Sequence, residues 1–123
     1  MATEIPGLVI TFLAGETMAS AQYRPVRLEA DGQIDIAGAT PGEDALGVVQ
    51  NKPAAGEEAT VMTSGVTKVV VGTGGVTAGD YAQAIADGVT TAASGDYVIG
   101  QVLDTGVAGD IVRMLLGSRH LLA

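Results

Sequence analysis

The amino-acid sequence predicts an all-β fold, a small sandwich or barrel of short strands built from two related halves, with an N-terminal arm and little helix. First, no segment keeps apolar residues at the helical period of about 3.6 residues. Second, short β-branched runs lie between glycine turns spaced roughly 8–12 residues apart, as in sandwiches and barrels. Third, a strand-and-turn pattern occurs twice along the 123 residues.

The repeat is clearest at its glycines. Gly47, within Ala-Leu-Gly-Val-Val, recurs as Gly100 within Val-Ile-Gly-Gln-Val, and Gly56 recurs as Gly109, both 53 residues further on. A repeat of about 50 residues is typical of a duplicated supersecondary unit. Two copies favour one domain made of two related halves over a solenoid of stacked repeats.

The chain has the length of a single domain. We therefore expect an N-terminal arm or strand over residues 1–15 and one β domain over residues 16–123, with halves at about 16–72 and 73–123. Only 3% of the residues are aromatic, so the core must come from valine, isoleucine, leucine and alanine. A core of such short side chains makes association with a partner or with a second copy plausible.

Charge and composition exclude several classes of function. The net charge is −8, with 14 acidic and 6 basic residues, which argues against a nucleic-acid surface built from clustered lysine and arginine. There is no cysteine, and therefore no disulfide framework or thiolate chemistry. No apolar run approaches the roughly 18–20 residues of a membrane span, and no basic region precedes an apolar stretch as in a secretion signal.

The N-terminal stretch has two open interpretations. Gly7–Leu13 is apolar and β-branched, and Pro6 suits the start or edge of a strand. It is either an extra strand that closes the protein's own sheet or an arm that lies on a neighbour by strand addition. No counterpart is evident before the second copy. The candidate residues for a capsid or subunit interface are Ile5, Pro6, Leu8, Ile10 and Phe12.

The remaining strands follow in order. Asp31-Gly32 between alternating runs predicts a hairpin, because both turn residues need positive φ. In the first half we expect strands at Tyr23–Leu28, Gln33–Ala37, Ala45–Val49, Glu58–Thr63 and Val66–Val71. In the second half we expect strands at Tyr81–Ile85 (or one helical turn there), Val89–Thr91, Tyr97–Leu103 and Ile111–Leu116. The tail Arg119–Ala123 is expected to match Thr67–Val71, and Gly72–Gly75 to link the halves.

One tripeptide suggests catalysis. Asp104–Gly106 reads Asp-Thr-Gly, the tripeptide of retroviral-type aspartic proteases, in which two carboxylates share a proton. Too few residues follow it to build the core behind such a site, and its repeat partner is Asn51, followed by Lys52-Pro53. An ordinary turn between strands is the better interpretation.

Other reactive sites lack the residues they need. Gly72–Gly75 is not followed by the Gly-Lys-Ser/Thr of a phosphate loop. His120 is the only histidine, which disfavours a zinc site, and no calcium-loop pattern occurs. Lys52 and Lys68 lack the context of a cofactor-attachment lysine. The sequence thus predicts a protein that is not an enzyme and that carries no cofactor or metal.

The doubled pattern resembles the capsid decoration, or cement, proteins of tailed bacteriophages, which are small, cysteine-poor β proteins rich in alanine, glycine and valine. The likeness covers roughly residues 16–117. The residues that carry it are Ala30–Gly32, Leu46–Val49 and Ala55–Glu57 in the first half, and Ala86–Gly88, Ile99–Val102 and Ala108–Asp110 in the second.

The resemblance implies a structural function without catalytic residues. Such proteins bind the outer surface of an expanded head, usually as trimers, and stabilise it against internal DNA pressure. The implied partners are the major capsid protein and further copies of the chain, as a homotrimer, with no nucleic acid and no membrane. The implied location is the outer surface of the virion, after synthesis in the host cytoplasm. The alternative is a non-enzymatic β binding module, for example a glycan-binding one, on a virion tail or cell surface.

Overall fold

The computed structural model describes the backbone of residues 5–122 and the side chains of residues 7–116 and 122. All the secondary-structure elements in this part of the chain are strands, so the predicted all-β class is confirmed. In chain order they are β1 (Ile5–Pro6), β2 (Val9–Leu13), β3 (Pro25–Leu28), β4 (Ile34–Ile36), β5 (Gly47–Val49), β6 (Glu58–Met62), β7 (Gly65–Val70), β8 (Tyr81–Ile85), β9 (Gly88–Thr91), β10 (Tyr97–Val102) and β11 (Ile111–Leu121).

The strands form two antiparallel sheets that pack as a sandwich. One sheet has the order β2-β6-β5-β3-β4, and the other has the order β1-β7-β11-β10-β8-β9. Val48 and Met62 of the first sheet meet Val69, Val89 and Met114 of the second in one buried cluster. A second cluster, which contains Met18 and Ile34, lies within the first sheet and the connection that follows β2.

The duplication is visible in the strand order. Without β1, the second sheet repeats the order of the first, with β7 to β11 in the places of β2 to β6. The hydrogen bonds repeat as well: Ala14 N–H donates to the Glu57 carbonyl oxygen (2.9 Å) as Val71 N–H donates to the Asp110 carbonyl oxygen (2.8 Å). We call β2–β6 the first unit and β7–β11 the second unit.

Two local expectations were wrong. The N-terminal strand does have a counterpart, because β2 lies beside β6 as β7 lies beside β11. The tail is not a separate strand that matches Thr67–Val71, because β11 continues through it and Leu121 pairs with Tyr97. Residues 81–85 form the strand that was expected there, and not the helical turn given as its alternative. In the structure the units join at Thr63-Ser64, and Gly72–Gly75 lies within the second unit.

The N-terminal segment runs along the junction between the units. Ile5 pairs with Val66 of β7, and Val9 pairs with Met62 of β6, so β1 and β2 follow the continuous stretch β6–β7 from one sheet to the other. The Leu8 N–H donates to Ser64 Oγ (2.8 Å) at the bend. The interpretation of β2 as a strand of the protein's own sheet is therefore confirmed.

Further contacts from the first unit cover one side of the second. The Val70 N–H donates to the Tyr23 carbonyl oxygen (3.0 Å), and Gln50 Nε2 donates to Thr67 Oγ1 (2.8 Å). The Gly42 N–H donates to the Ala84 carbonyl oxygen (3.1 Å), which places the connection between β4 and β5 on β8. We call this set of contacts the unit joint.

Candidate functional site

The outer edge of β2 is an open, apolar sheet edge. Within the described residues β2 pairs only with β6, and the side chains of Leu8, Val9, Ile10 and Leu13 are exposed. Native sheet edges are usually protected by charged residues, prolines or bulges. Val9–Leu13 contains no charged residue and no proline. This edge is therefore the candidate functional site, as an interaction surface.

The register determines which backbone groups point outward. The Leu8 carbonyl oxygen accepts from Thr63 N–H (2.9 Å), and Ala14 N–H donates to Glu57 O (2.9 Å), so the even-numbered residues face β6. Antiparallel pairs alternate, and the N–H and C=O groups of Val9, Thr11 and Leu13 consequently point away from β6. A strand of another molecule could hydrogen-bond to these groups without any rearrangement of the sheet.

The structure places the predicted interface residues differently from one another. Leu8 and Ile10 are exposed at the open edge. Phe12 is half-buried and packs against the core cluster of the first unit, so its main contacts are internal. Ile5 and Pro6 form the backbone of β1, while their side chains lie outside the described residues. Their role at an interface stays a prediction.

Sequence reasoning missed other exposed apolar residues. Val9 and Leu13 lie on the opposite face of β2 from Ile10, and Leu28 is exposed at the end of β3. Leu115 is exposed on β11. The apolar character of both faces of β2 was visible in the sequence. Leu28 and Leu115 gave no signal, because each occupies an ordinary apolar position in a strand.

Asp104 is held by one arginine. Arg113 donates to it from Nε (3.0 Å), from the second guanidinium nitrogen (2.8 Å) and from its backbone N–H (2.9 Å). The side-chain hydrogen bonds from Arg113 lower the pKa of Asp104 to about 2. The equivalent Asn51 accepts from Thr60 N–H (3.0 Å) in the first unit. The side chain at this position thus ties a loop to the neighbouring strand in both units.

The described residues hold no cluster of three or more histidine, cysteine, aspartate or glutamate side chains suited to a metal ion. In the same part of the chain there is no enclosed pocket. Acidic side chains do gather around Arg27, which donates to Glu29 (2.8 Å) and Glu43 (3.2 Å). Burial, and the hydrogen bond to Glu29, raise the pKa of the nearby Asp35. No helix among the described residues is long and apolar enough to span a membrane.

Comparison with known proteins finds a likeness of fold among solved structures. No protein-family model matches the sequence, and no curated protein matches it. Among solved structures, the chain is similar to the crystal structure of the head fiber gp8.5 N base in bacteriophage phi29, with a TM-score of 0.69 and 17% sequence identity. The match covers 94% of this chain and 98% of that chain. The predicted likeness to a phage head protein is thus confirmed at the level of the fold.

Proposed function

We propose that the protein is a structural component of a bacteriophage head, which binds the outer surface of the expanded capsid and stabilises it against internal DNA pressure. The observation that carries the proposal is the fold, which is similar to that of a phage head fiber base along nearly the whole of both chains. The sequence motifs of the two repeats support the same class of protein.

The described surface suits a mechanical function. Asp104, the carboxylate of the Asp-Thr-Gly tripeptide, forms an ion pair with Arg113. What the chain offers instead is an apolar open edge on a two-sheet scaffold. Many copies that each bury a small surface across joints of a shell add up by multivalency. A protein that binds only the expanded lattice shifts the shell toward that state by mass action.

The proposed partners are the major capsid protein and other copies of this chain, which assemble as a homotrimer. The protein would be made in the host cytoplasm and would end on the outer surface of the virion. The net charge of −8 supports a position outside the shell, away from DNA. The function requires no catalysis, cofactor or metal.

The test is to add the purified full-length protein to expanded heads of its phage that lack it, with unexpanded heads as the control. Electron microscopy measures occupancy, and a fluorescent dye measures the temperature at which DNA is released. We expect occupancy on expanded heads only and a higher release temperature. Absence of binding to expanded heads would refute the proposal, and selective capture on a glycan array would favour the binding-module alternative.

A further inference from the structure

The first unit has an uncovered side at the positions where the second unit is covered by the unit joint. The repeated hydrogen bonds align Ala14 with Val71, and therefore Ile10 with Thr67 and Leu13 with Val70. Val26 pairs with Gly47 as Ala82 pairs with Gly100, which aligns Leu28 with Ala84. These alignments allow the two units to be compared residue by residue.

The aligned positions differ in exposure. Thr67 is fully buried under Gln50, whereas Ile10 is 36% exposed. Ala84 is 1% exposed beneath the connection between β4 and β5, whereas Leu28 is 51% exposed. The outward-facing N–H of Val70 is taken by the Tyr23 carbonyl oxygen, while that of Leu13 faces away from β6. We call Ile10, Leu13 and Leu28 the open side.

The second unit carries the matching surface. Met62 pairs with Val48 as Leu115 pairs with Gln101, so Met62 aligns with Leu115. Met62 is 3% exposed because it packs against the second unit within the chain, whereas Leu115 is 40% exposed. Gln50 aligns with Leu103, because the Gln50 N–H donates to the Thr60 carbonyl oxygen and the Leu103 N–H donates to the carbonyl oxygen of the equivalent Arg113. We call Leu103 and Leu115 the outer face.

The open side and the outer face differ from the aligned surfaces of the unit joint in ways that fit each other. The unit joint contains the polar pair Gln50–Thr67, and the aligned pair is Leu103 and Ile10, in which both members are apolar. Within the chain, Ala84 is covered by the connection of residues 37–46. In the equivalent contact, Leu28 would be covered by residues 92–96, a shorter connection that leaves room for a larger side chain. Apolar patches on an exposed surface usually mark a contact, and a contact between these two surfaces would place the apolar Ile10 against the apolar Leu103.

We infer that the open side of the first unit is covered by the outer face of the second unit of another copy of this chain, in an arrangement that repeats the unit joint between molecules. The contact is head-to-tail, so each copy uses one surface on each neighbour, and the copies form a closed ring if the rotation from one copy to the next divides a full turn. This inference deepens the proposed self-association, on which it rests, by naming the two surfaces.

The test uses two variants of the full chain, Leu13→Asp on the open side and Leu115→Asp on the outer face. Leu115→Asp places an unpaired charge in the contact, and Leu13→Asp places one beside the backbone N–H at the edge of the contact, so sedimentation velocity should show that each weakens self-association more than about tenfold. The control is Val107→Ser, because Val107 is exposed but lies outside both surfaces, and this variant should leave the association unchanged. Circular dichroism and thermal unfolding confirm that each variant is folded.

Mixing the two variants distinguishes this contact from symmetrical pairing. Leu13→Asp keeps an intact outer face and Leu115→Asp keeps an intact open side, so the mixture should form one-to-one dimers and nothing larger. A two-fold pairing of β2 edges would be disrupted by Leu13→Asp alone. An unimpaired Leu115→Asp variant would therefore overturn the inference.

A compensating pair sharpens the assignment. Ile10→Thr or Leu103→Gln alone should weaken association, because each leaves a polar group against an apolar one. The double variant recreates the Thr67–Gln50 pair and should recover most of the association. No recovery would contradict the alignment. A wild-type chain that stays monomeric at about 100 μM, with head binding lost in Leu13→Asp, would assign the open side to the shell protein, overturning the inference but not the proposed function.

Discussion

The two units contain the same five strands in the same order, and they differ in what lies against them. One side of β7 and β8 is covered by Tyr23, Gln50 and the connection between β4 and β5. The same side of β2 and β3 is exposed. When a unit packs on its own copy, each of the two units keeps one surface that has no partner within the chain. The candidate contact surfaces therefore lie at the two ends of the pair of units and not in a cleft between the units.

The largest expected effect is a difference in the free energy of unfolding between alanine variants of Met62 and of the aligned Leu115. Met62→Ala leaves a cavity in the cluster shared by both sheets and should lower the free energy of unfolding by about 3 kcal/mol. Leu115→Ala removes an exposed side chain and should cost less than about 1 kcal/mol in the dissociated chain. Urea unfolding at low protein concentration measures both, and equal losses would contradict the claimed difference between the units.

A smaller effect tests the connection that covers β8. Gly38 has a φ of 104°, and a Cβ there would collide with the carbonyl oxygen of Ile85. Gly38→Ala combines a strained backbone with a clash against backbone and should cost about 2–3 kcal/mol. Gly32 is the control, since its φ is 82° but no atom lies near its missing Cβ. Gly32→Ala should cost about 1 kcal/mol, and a similar cost at both glycines would show that the connection does not press on β8.

The repeat could be found in the sequence where the backbone itself demands glycine. A Cβ at Gly47 would collide with the carbonyl oxygen of Met62, and one at Gly100 with that of Leu115. Gly56 and its copy turn with φ near 80–90°, a conformation that few other residues adopt. These constraints fix residue identity, and the spacing of 53 residues therefore survives in both copies.

The equivalence of β2 and β7 could not be found in the same way. Both are apolar strands, and a strand position accepts many apolar residues, so Val9–Leu13 and Val66–Val70 share almost no pattern. The open side was equally hidden, since Leu28 and Ala84 differ in exposure through what packs on them and not through their own strands. The sequence predicts an interface at Leu8 and Ile10 from the apolar, β-branched character of that stretch, and this stays a prediction.

The smallest effect concerns the loop that Asn51 and Asp104 secure in the two units. Arg113 lowers the pKa of Asp104 from 3.8 to about 2 in the folded protein. A carboxyl with a depressed folded pKa adds stability that is complete above its unfolded value and is lost as the pH falls through the folded value. This contribution should therefore disappear between about pH 4 and pH 2.

Asp104→Asn gives the second unit the asparagine that the first unit has at the equivalent position 51, and it removes the titration of the Asp104 carboxyl. Its thermal unfolding midpoint should change less than that of the wild type between pH 4 and pH 2, with the remaining change due to carboxylates such as Glu43 and Asp87, whose pKa values are also lowered. Arg113→Thr, which copies Thr60, keeps the backbone hydrogen bond and removes the ion pair, so it should flatten the profile in the same way. If both variants keep the full wild-type slope, the ion pair does not distinguish the two loops, and the amide and the carboxylate serve them equally.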